Sequence, residues 1–211
     1  MTTKQSSGWT GLKGKIGAWL LNSPLRTIFF GRIRSVFLNE VSRHISGDNV
    51  VLDIGAGSGY FSLAIAKKLN TGYVICLDLS EEMLHVLKKK AKKKGLEDRI
   101  QIINSDASSI ELKDKSVDLI VSNFVLHEFS DSEIIIKEII RVLKPNGFLI
   151  IVDFLKDSKM GKKFDFFHHH VHGDAHGTFS VKEVEALYAK CGLKDINVNA
   201  DKSWFIGIGR K

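Results

Sequence analysis

Residues 50–61 form an apolar run that ends in an acid, Asp53, and opens into a loop carrying Gly55, Gly57 and Gly59. Glycines at that density let the backbone turn tightly and approach a ligand, and the helix predicted to follow offers unpaired N–H groups. A ribose-bearing nucleotide suits such a loop. The dinucleotide fingerprint G-x-G-x-x-G would require glycine at position 60, where Tyr60 stands, so a nicotinamide dehydrogenase is disfavoured. Asp78 ends the next apolar run, where a carboxylate can accept hydrogen bonds from both hydroxyls of a ribose. Far downstream, residues 164–176 hold five histidines and two acids. There, His168/His172 and His172/His176 are i,i+4 pairs that would share one face of a helix, although Gly173 weakens that helix. Three readings stand side by side for this segment. It is a polar loop with hydrogen-bonded histidines, or a pocket wall using His172 or His176 as base or clamp near the ordinary pKa of about 6.5. The third is a divalent metal site with His168, His172 and His176 as candidate ligands.

These residues need a scaffold, and the hydrophobic periodicity supplies one. Strands are predicted at 50–54, 73–78, 100–104, 117–122 and 148–153, with helices at 60–69 and 80–94 between them. The second of these helices has Met83, Leu84, Leu87 and Ala91 as its apolar side and ends at Gly95. Ser130-Asp131-Ser132-Glu133 reads as a capping box opening a helix that stops before Pro145-Asn146-Gly147, and Ser180-Val181-Lys182-Glu183 as another whose helix stops at Gly192. Strands at about 195–199 and 203–209 close the chain; a connection of about four residues is too short for a parallel crossover, so they pair antiparallel. The expected fold class is α/β, a seven-stranded, mostly parallel open sheet with an antiparallel C-terminal hairpin and helices on both faces. Upstream, Leu25, Ile28, Phe29, Ile33, Val36, Phe37, Val41 and Ile45 keep a helical period. Residues 25–211 read as one domain with an acceptor-side insertion at 156–179, preceded by a glycine-spaced flexible or docking segment at 1–24. Within that segment, 10–21 could make peripheral membrane contact.

Bulk properties narrow the partners. No apolar run in the 211 residues reaches the roughly 20 needed to span a bilayer, and no secretory signal opens the chain. Cys76 and Cys191 read as reduced thiols of a cytoplasmic protein. The net charge of +7 permits an anionic partner, but much of it comes from Lys88–Lys90 and Lys92–Lys94. That block reads as a solvated helix face, with no accompanying RNA-binding motif.

The pattern D-x-G-x-G-x-G at 53–59 resembles motif I of class I S-adenosylmethionine-dependent methyltransferases. The likeness continues in register through 48–155. Asp78-Leu79-Ser80-Glu81-Glu82-Met83-Leu84 is similar to the family's ribose and adenine segment, and Asn104-Ser105-Asp106-Ala107 to its adenine-amino segment. Ser122-Asn123-Phe124-Val125-Leu126-His127 resembles the segment beside the methyl donor, and Leu143-Lys144-Pro145-Asn146-Gly147-Phe148 the family's "L-K-P-G-G" turn. The small-molecule branch, including the ubiquinone- and menaquinone-type C-methyltransferases, is the nearest likeness. The resemblance implies a Rossmann-like fold, S-adenosylmethionine as cofactor and a small, lipophilic, aromatic or metal-coordinating acceptor. It implies donor contacts from Asp53, Gly55, Ala56, Gly57, Gly59, Asp78, Leu79, Met83, Asp106, Ala107 and Asn123. His127, after the donor-facing strand, is a candidate base beside His172 and His176. Asn123 is followed by Phe124-Val125, not by the N-P-P-Y continuation of amino-methylating enzymes, which argues against an adenine-N6 or glutamine acceptor. An RNA or protein methyltransferase and a non-catalytic S-adenosylmethionine-binding protein are the competing readings.

Overall fold

The computed structural model describes residues 25–163, 165 and 177–211, with the backbone alone for 25–29. Residues 1–24 and His168, His172 and His176, for which the sequence raised expectations, lie outside the described residues. Seven strands run as β1 (Val50–Ile54), β2 (Tyr73–Asp78), β3 (Ile100–Asn104), β4 (Val117–Asn123), β5 (Leu143–Phe154), β6 (Lys194–Ala200) and β7 (Trp204–Arg210). They form one sheet in the order β3-β2-β1-β4-β5-β7-β6. The pairs from β3 through β5 are parallel. β7 runs antiparallel to its neighbours β5 and β6, so the C-terminal hairpin inserts its second strand next to β5 and leaves β6 on the edge.

The central strands are continuous apolar runs because they are covered on both sides. One layer packs α1 (Leu25–His44), through Ile33, Phe37 and Val41, with α2 (Ser62–Ala66) and the Leu87 and Ala91 side of α3 (Glu81–Lys93). The opposite layer packs α4 (Ser132–Val142), through Ile135, Ile136 and Ile139, and α5 (Val181–Lys190), through Val184 and Tyr188. Apolar side chains of β1 alternate between the layers, Val51 to the first and Leu52 and Ile54 to the second.

Local chemistry sets the helix ends. The Ser80 hydroxyl accepts from the Met83 N–H to start α3. Ser180 and Glu183 form the reciprocal capping box expected at the start of α5. At α4 the register differs by one residue: Asp131, not Ser130, is the N-cap, its carboxylate accepting from the Ile134 N–H at 3.0 Å. α2 is shorter than the predicted 60–69 helix, since Tyr60 and Phe61 still belong to the glycine turn and the chain tightens after Ala66.

Parallel strands connected by helices bring the loops after β1, β2, β4 and β5 to one end of the sheet, on both sides of the point where strand order reverses between β1 and β4. No helix among the described residues is long and apolar enough to cross a membrane. Cys76 is buried and Cys191 half-buried, both as free thiols.

Candidate active site

All three loop glycines adopt left-handed backbone, with φ of +69° at Gly55, +52° at Gly57 and +80° at Gly59. The N–H groups of Gly55 and Ala56 donate to the Leu77 carbonyl at 2.8 and 3.1 Å, tying the loop to β2. A Cβ at Gly55 would lie 2.2 Å from a Val125 methyl, whereas one at Gly57 would meet nothing nearer than 4.0 Å. Gly55 is therefore a packing glycine and Gly57 the open floor of a cradle. Gly55→Ala combines left-handed strain with overpacking and is expected to lower stability by about 2–5 kcal/mol. Adding Val125→Ala should recover part of that loss in a urea titration; equal midpoints for the single and double variants would rule out the clash.

Asp78 closes the cradle from β2. Its Oδ2 accepts from the Gly57 N–H at 2.7 Å and its Oδ1 from the Ser80 N–H at 2.8 Å. Burial pushes this carboxyl up, while the N–H groups of Ser80, Gly57 and Leu79 pull it back. An ionised carboxylate offers about four acceptor sites, so acceptor capacity remains for a ligand hydroxyl. Leu79, next along, is 43% exposed, a large apolar side chain left at the mouth. Met83 and Ala107 are buried, and Asp106 uses Oδ1 to accept from the Ser108 N–H at 2.7 Å.

Asp53 is 2% exposed, its Oδ2 accepting from the Ser62 hydroxyl at 2.5 Å. Burial raises its pKa to about 7; the Ser62 bond opposes the rise and the Asp78 charge adds to it. The unfolded carboxyl ionises near 3.9, so the native state loses stability as pH climbs from about 4 through 7. Asp53→Asn keeps an acceptor for Ser62 without the ionisation. Its stability relative to the parent should rise between pH 5 and pH 8 by an amount on the order of 2–4 kcal/mol. A pH-independent difference in thermal unfolding would contradict this.

At the end of β4, Asn123 is 7% exposed, and neither side-chain amide atom has a hydrogen-bond partner among the described residues. A buried amide without partners is costly, and a polar ligand would satisfy it. Phe124 follows with φ of +60°, strained backbone for a bulky residue. Its ring lies 5.1 Å from Phe30 of α1 and 4.9 Å from Phe154 of β5, measured between centroids, and 6.5 Å from Phe61 after the glycine loop. The aromatic wall thus spans the loop and the ends of β4 and β5.

His127 stands at its far end, 2% exposed, with its ring 5.8 Å from Phe154. Its Nδ1 lies 2.7 Å from Oδ1 of Asp153, itself 1% exposed, and its backbone N–H donates to Asp153 Oδ2 at 3.1 Å. Glu128 Oε1 is 3.8 Å from Nε2. Burial pulls the imidazole pKa down, but the charge and hydrogen bond of Asp153, with the charges of Glu128 and Asp165, outweigh it and hold the value above the usual one. Asp165 also accepts from the N–H and hydroxyl of Thr178, at 2.8 and 2.9 Å. Asp153 is the residue that the sequence reading missed; its one signal is an acid at the carboxyl end of an otherwise apolar strand. No group of three His, Cys, Asp or Glu among the described residues could hold a metal ion.

The sheet order, with its one reversed strand, is a Rossmann-like fold, the fold of solved S-adenosylmethionine-dependent methyltransferases. The profile of the methyltransferase domain family matches residues 52–151, which carry the glycine loop, Asp78, Asn123 and His127. In sequence, the chain is similar to the ubiquinone/menaquinone biosynthesis C-methyltransferase of Blochmanniella pennsylvanica, 34% identical over 106 residues, 50% of this chain and 42% of that protein. It spans about half the length of the curated relatives it matches. In fold it is similar to a SAM-dependent methyltransferase from Aquifex aeolicus, with a TM-score of 0.73, 24% identity, and 92% of this chain and 97% of that chain covered. Phosphoethanolamine N-methyltransferase 2 of Haemonchus contortus, solved with S-adenosyl-L-methionine, aligns with a TM-score of 0.71 at 19% identity over 82% of this chain and 51% of that one.

Proposed function

We propose that this protein transfers the methyl group of S-adenosylmethionine to a small lipophilic or aromatic acceptor that loses a proton in the reaction. The observation that carries the reading is the aromatic wall running from the glycine loop to a buried imidazole–carboxylate pair. The residues fit the donor: Asp78 has acceptor capacity for ribose hydroxyls, Gly57 leaves room for close approach, and the Asn123 amide lacks a partner. Asp53, Gly55, Ala56, Gly57, Gly59, Asp78, Leu79, Met83, Asp106, Ala107 and Asn123 form the donor half. When bound, the cofactor supplies an already electrophilic methyl on a sulfonium.

The chain then has three tasks. Phe30, Phe124 and Phe154 exclude water and hold a flat apolar acceptor. Asn123 orients polar groups at the junction. Asp153 engages Nδ1 of His127 and so assigns proton transfer to Nε2, with the carboxylate stabilising the imidazolium that forms. The names of the sequence relatives, quinone-biosynthesis methyltransferases, make a quinone ring the model acceptor. We further read 25–211 as one domain, 156–179 as the acceptor-side insertion with His168, His172 and His176, and the setting as cytoplasmic.

Methyl-labelled donor offered to fractionated cell extract tests the reading. Label in the solvent-extractable small-molecule fraction is the expected result. Label confined to RNA or protein would overturn the acceptor class.

A further inference from the structure

We infer that Arg34 is a carboxylate-binding residue of the donor site, contributed by α1 from outside the matched methyltransferase domain; the inference rests on the reading just given. Arg34 lies on the face of α1 that packs against the sheet. Phe30, one turn earlier, meets Phe124, and Phe37, one turn later, meets Phe61, each pair 5.1 Å apart. A cation in the middle of such a stripe needs a reason. Its guanidinium carbon lies 5.0 Å from the ring centroid of Tyr60, the residue directly after Gly59. Its Nε is buried without a hydrogen-bond partner, and among the described residues no carboxylate pairs with it. Arg32, two residues earlier and exposed, has an ion pair with Asp201 at 3.1 Å.

The ligand chemistry follows from the charges around the loop. Asp53, Asp78 and Asp106 place acids at or just after the ends of β1, β2 and β3, where ribose and adenine donors are welcome and an anion is repelled. The donor's other end is an α-amino acid whose carboxylate needs a cation. Among the described residues, Arg34 and Lys90 reach the loop. Lys90 already donates from Nζ to the Ser58 hydroxyl and carbonyl at 3.0 and 3.2 Å. Arg34 offers a planar fork that matches a carboxylate in two parallel hydrogen bonds, beside an aromatic face that limits its rotation. The unpartnered Asn123 amide independently marks the same end of the sheet as a ligand site. An acid group on the acceptor would present the same chemistry as the donor's tail, and the test separates the two sources.

The test is calorimetric titration of the full chain with S-adenosylmethionine and with decarboxylated S-adenosylmethionine, comparing the parent with Arg34→Gln and Lys90→Met. Arg34→Gln is expected to weaken S-adenosylmethionine by about tenfold or more and to leave the decarboxylated donor within about twofold, which also shows that the variant is folded. If both donors bind Arg34→Gln as they bind the parent, but benzoate binding to the S-adenosylhomocysteine-loaded protein falls about tenfold, the carboxylate is the acceptor's and the placement of Arg34 in the donor site is overturned. Unchanged affinity for all three probes overturns it, as does loss of S-adenosylmethionine affinity in Lys90→Met alone. A parent that binds neither donor overturns the methyltransferase reading itself.

Discussion

Asp78→Ala is expected to weaken S-adenosylmethionine binding by at least roughly a hundredfold, the largest effect of any single change at the donor site. The proposed ribose site loses its carboxylate, and the Gly57 and Ser80 N–H groups lose their acceptors. The loop then loses its tie to the end of β2 while Gly55 and Ala56 stay bonded to Leu77. Asp78→Asn separates the two losses, because its single oxygen can keep one N–H partner while the charge is gone; an intermediate loss of about tenfold is expected. Isothermal titration of both variants gives the comparison. Affinity equal to the parent in Asp78→Ala would move the ribose site elsewhere. Since burial raises this carboxyl, donor affinity should also weaken as pH falls into the carboxylate range.

His127→Gln is expected to slow methyl transfer by roughly 10²- to 10⁴-fold while donor affinity changes by less than about twofold. The imidazole must be neutral to take a proton, so the rate should rise with pH through its elevated pKa. Asp153→Asn removes the charge that lifts that value; the rising limb should move to lower pH and the plateau should drop. A merely structural pair would lower stability without moving the limb. The linkage has a definite sign. A histidine whose folded pKa exceeds its unfolded one adds stability that is complete below about pH 6.5 and is lost as pH rises through the folded value. His127→Gln should therefore be most destabilising near pH 6 and less so near pH 9. Unaltered transfer with labelled donor and extract would remove His127 from the chemistry.

What was legible in the sequence is what short-range pattern encodes. β1, β2 and β3 fall on the residues predicted, since each is a short, mostly apolar run bounded by turn residues. The Ser180–Glu183 box is a local hydrogen-bonding device and was read from four residues. Ser130-Asp131-Ser132-Glu133 holds overlapping capping candidates, and the backbone chose Asp131, a distinction that spacing alone cannot make. The places of Asp53, Gly55 and Asp78 were legible because Asp53 and Asp78 lie at the ends of β1 and β2 and Gly55 follows β1 directly. Asp153 and Arg34 were not, for a common reason. Each is one charged residue in an apolar pattern, and its meaning comes from a contact distant in sequence: Asp153 with His127, Arg34 with Tyr60. The aromatic wall of Phe30, Phe61, Phe124 and Phe154 was not legible either, because its rings come from four separate elements of the chain.

The central claim is that a glycine loop with left-handed residues, the Asp78 carboxylate and the unpartnered Asn123 amide together form a site for S-adenosylmethionine. Titration of the full chain with S-adenosylmethionine, S-adenosylhomocysteine and oxidised nicotinamide dinucleotide tests it most directly. One molecule of either sulfur nucleotide per chain, competing for the same site and not displaced by the dinucleotide, is the expected result. No measurable binding of S-adenosylmethionine, or tighter binding of the dinucleotide, would contradict it.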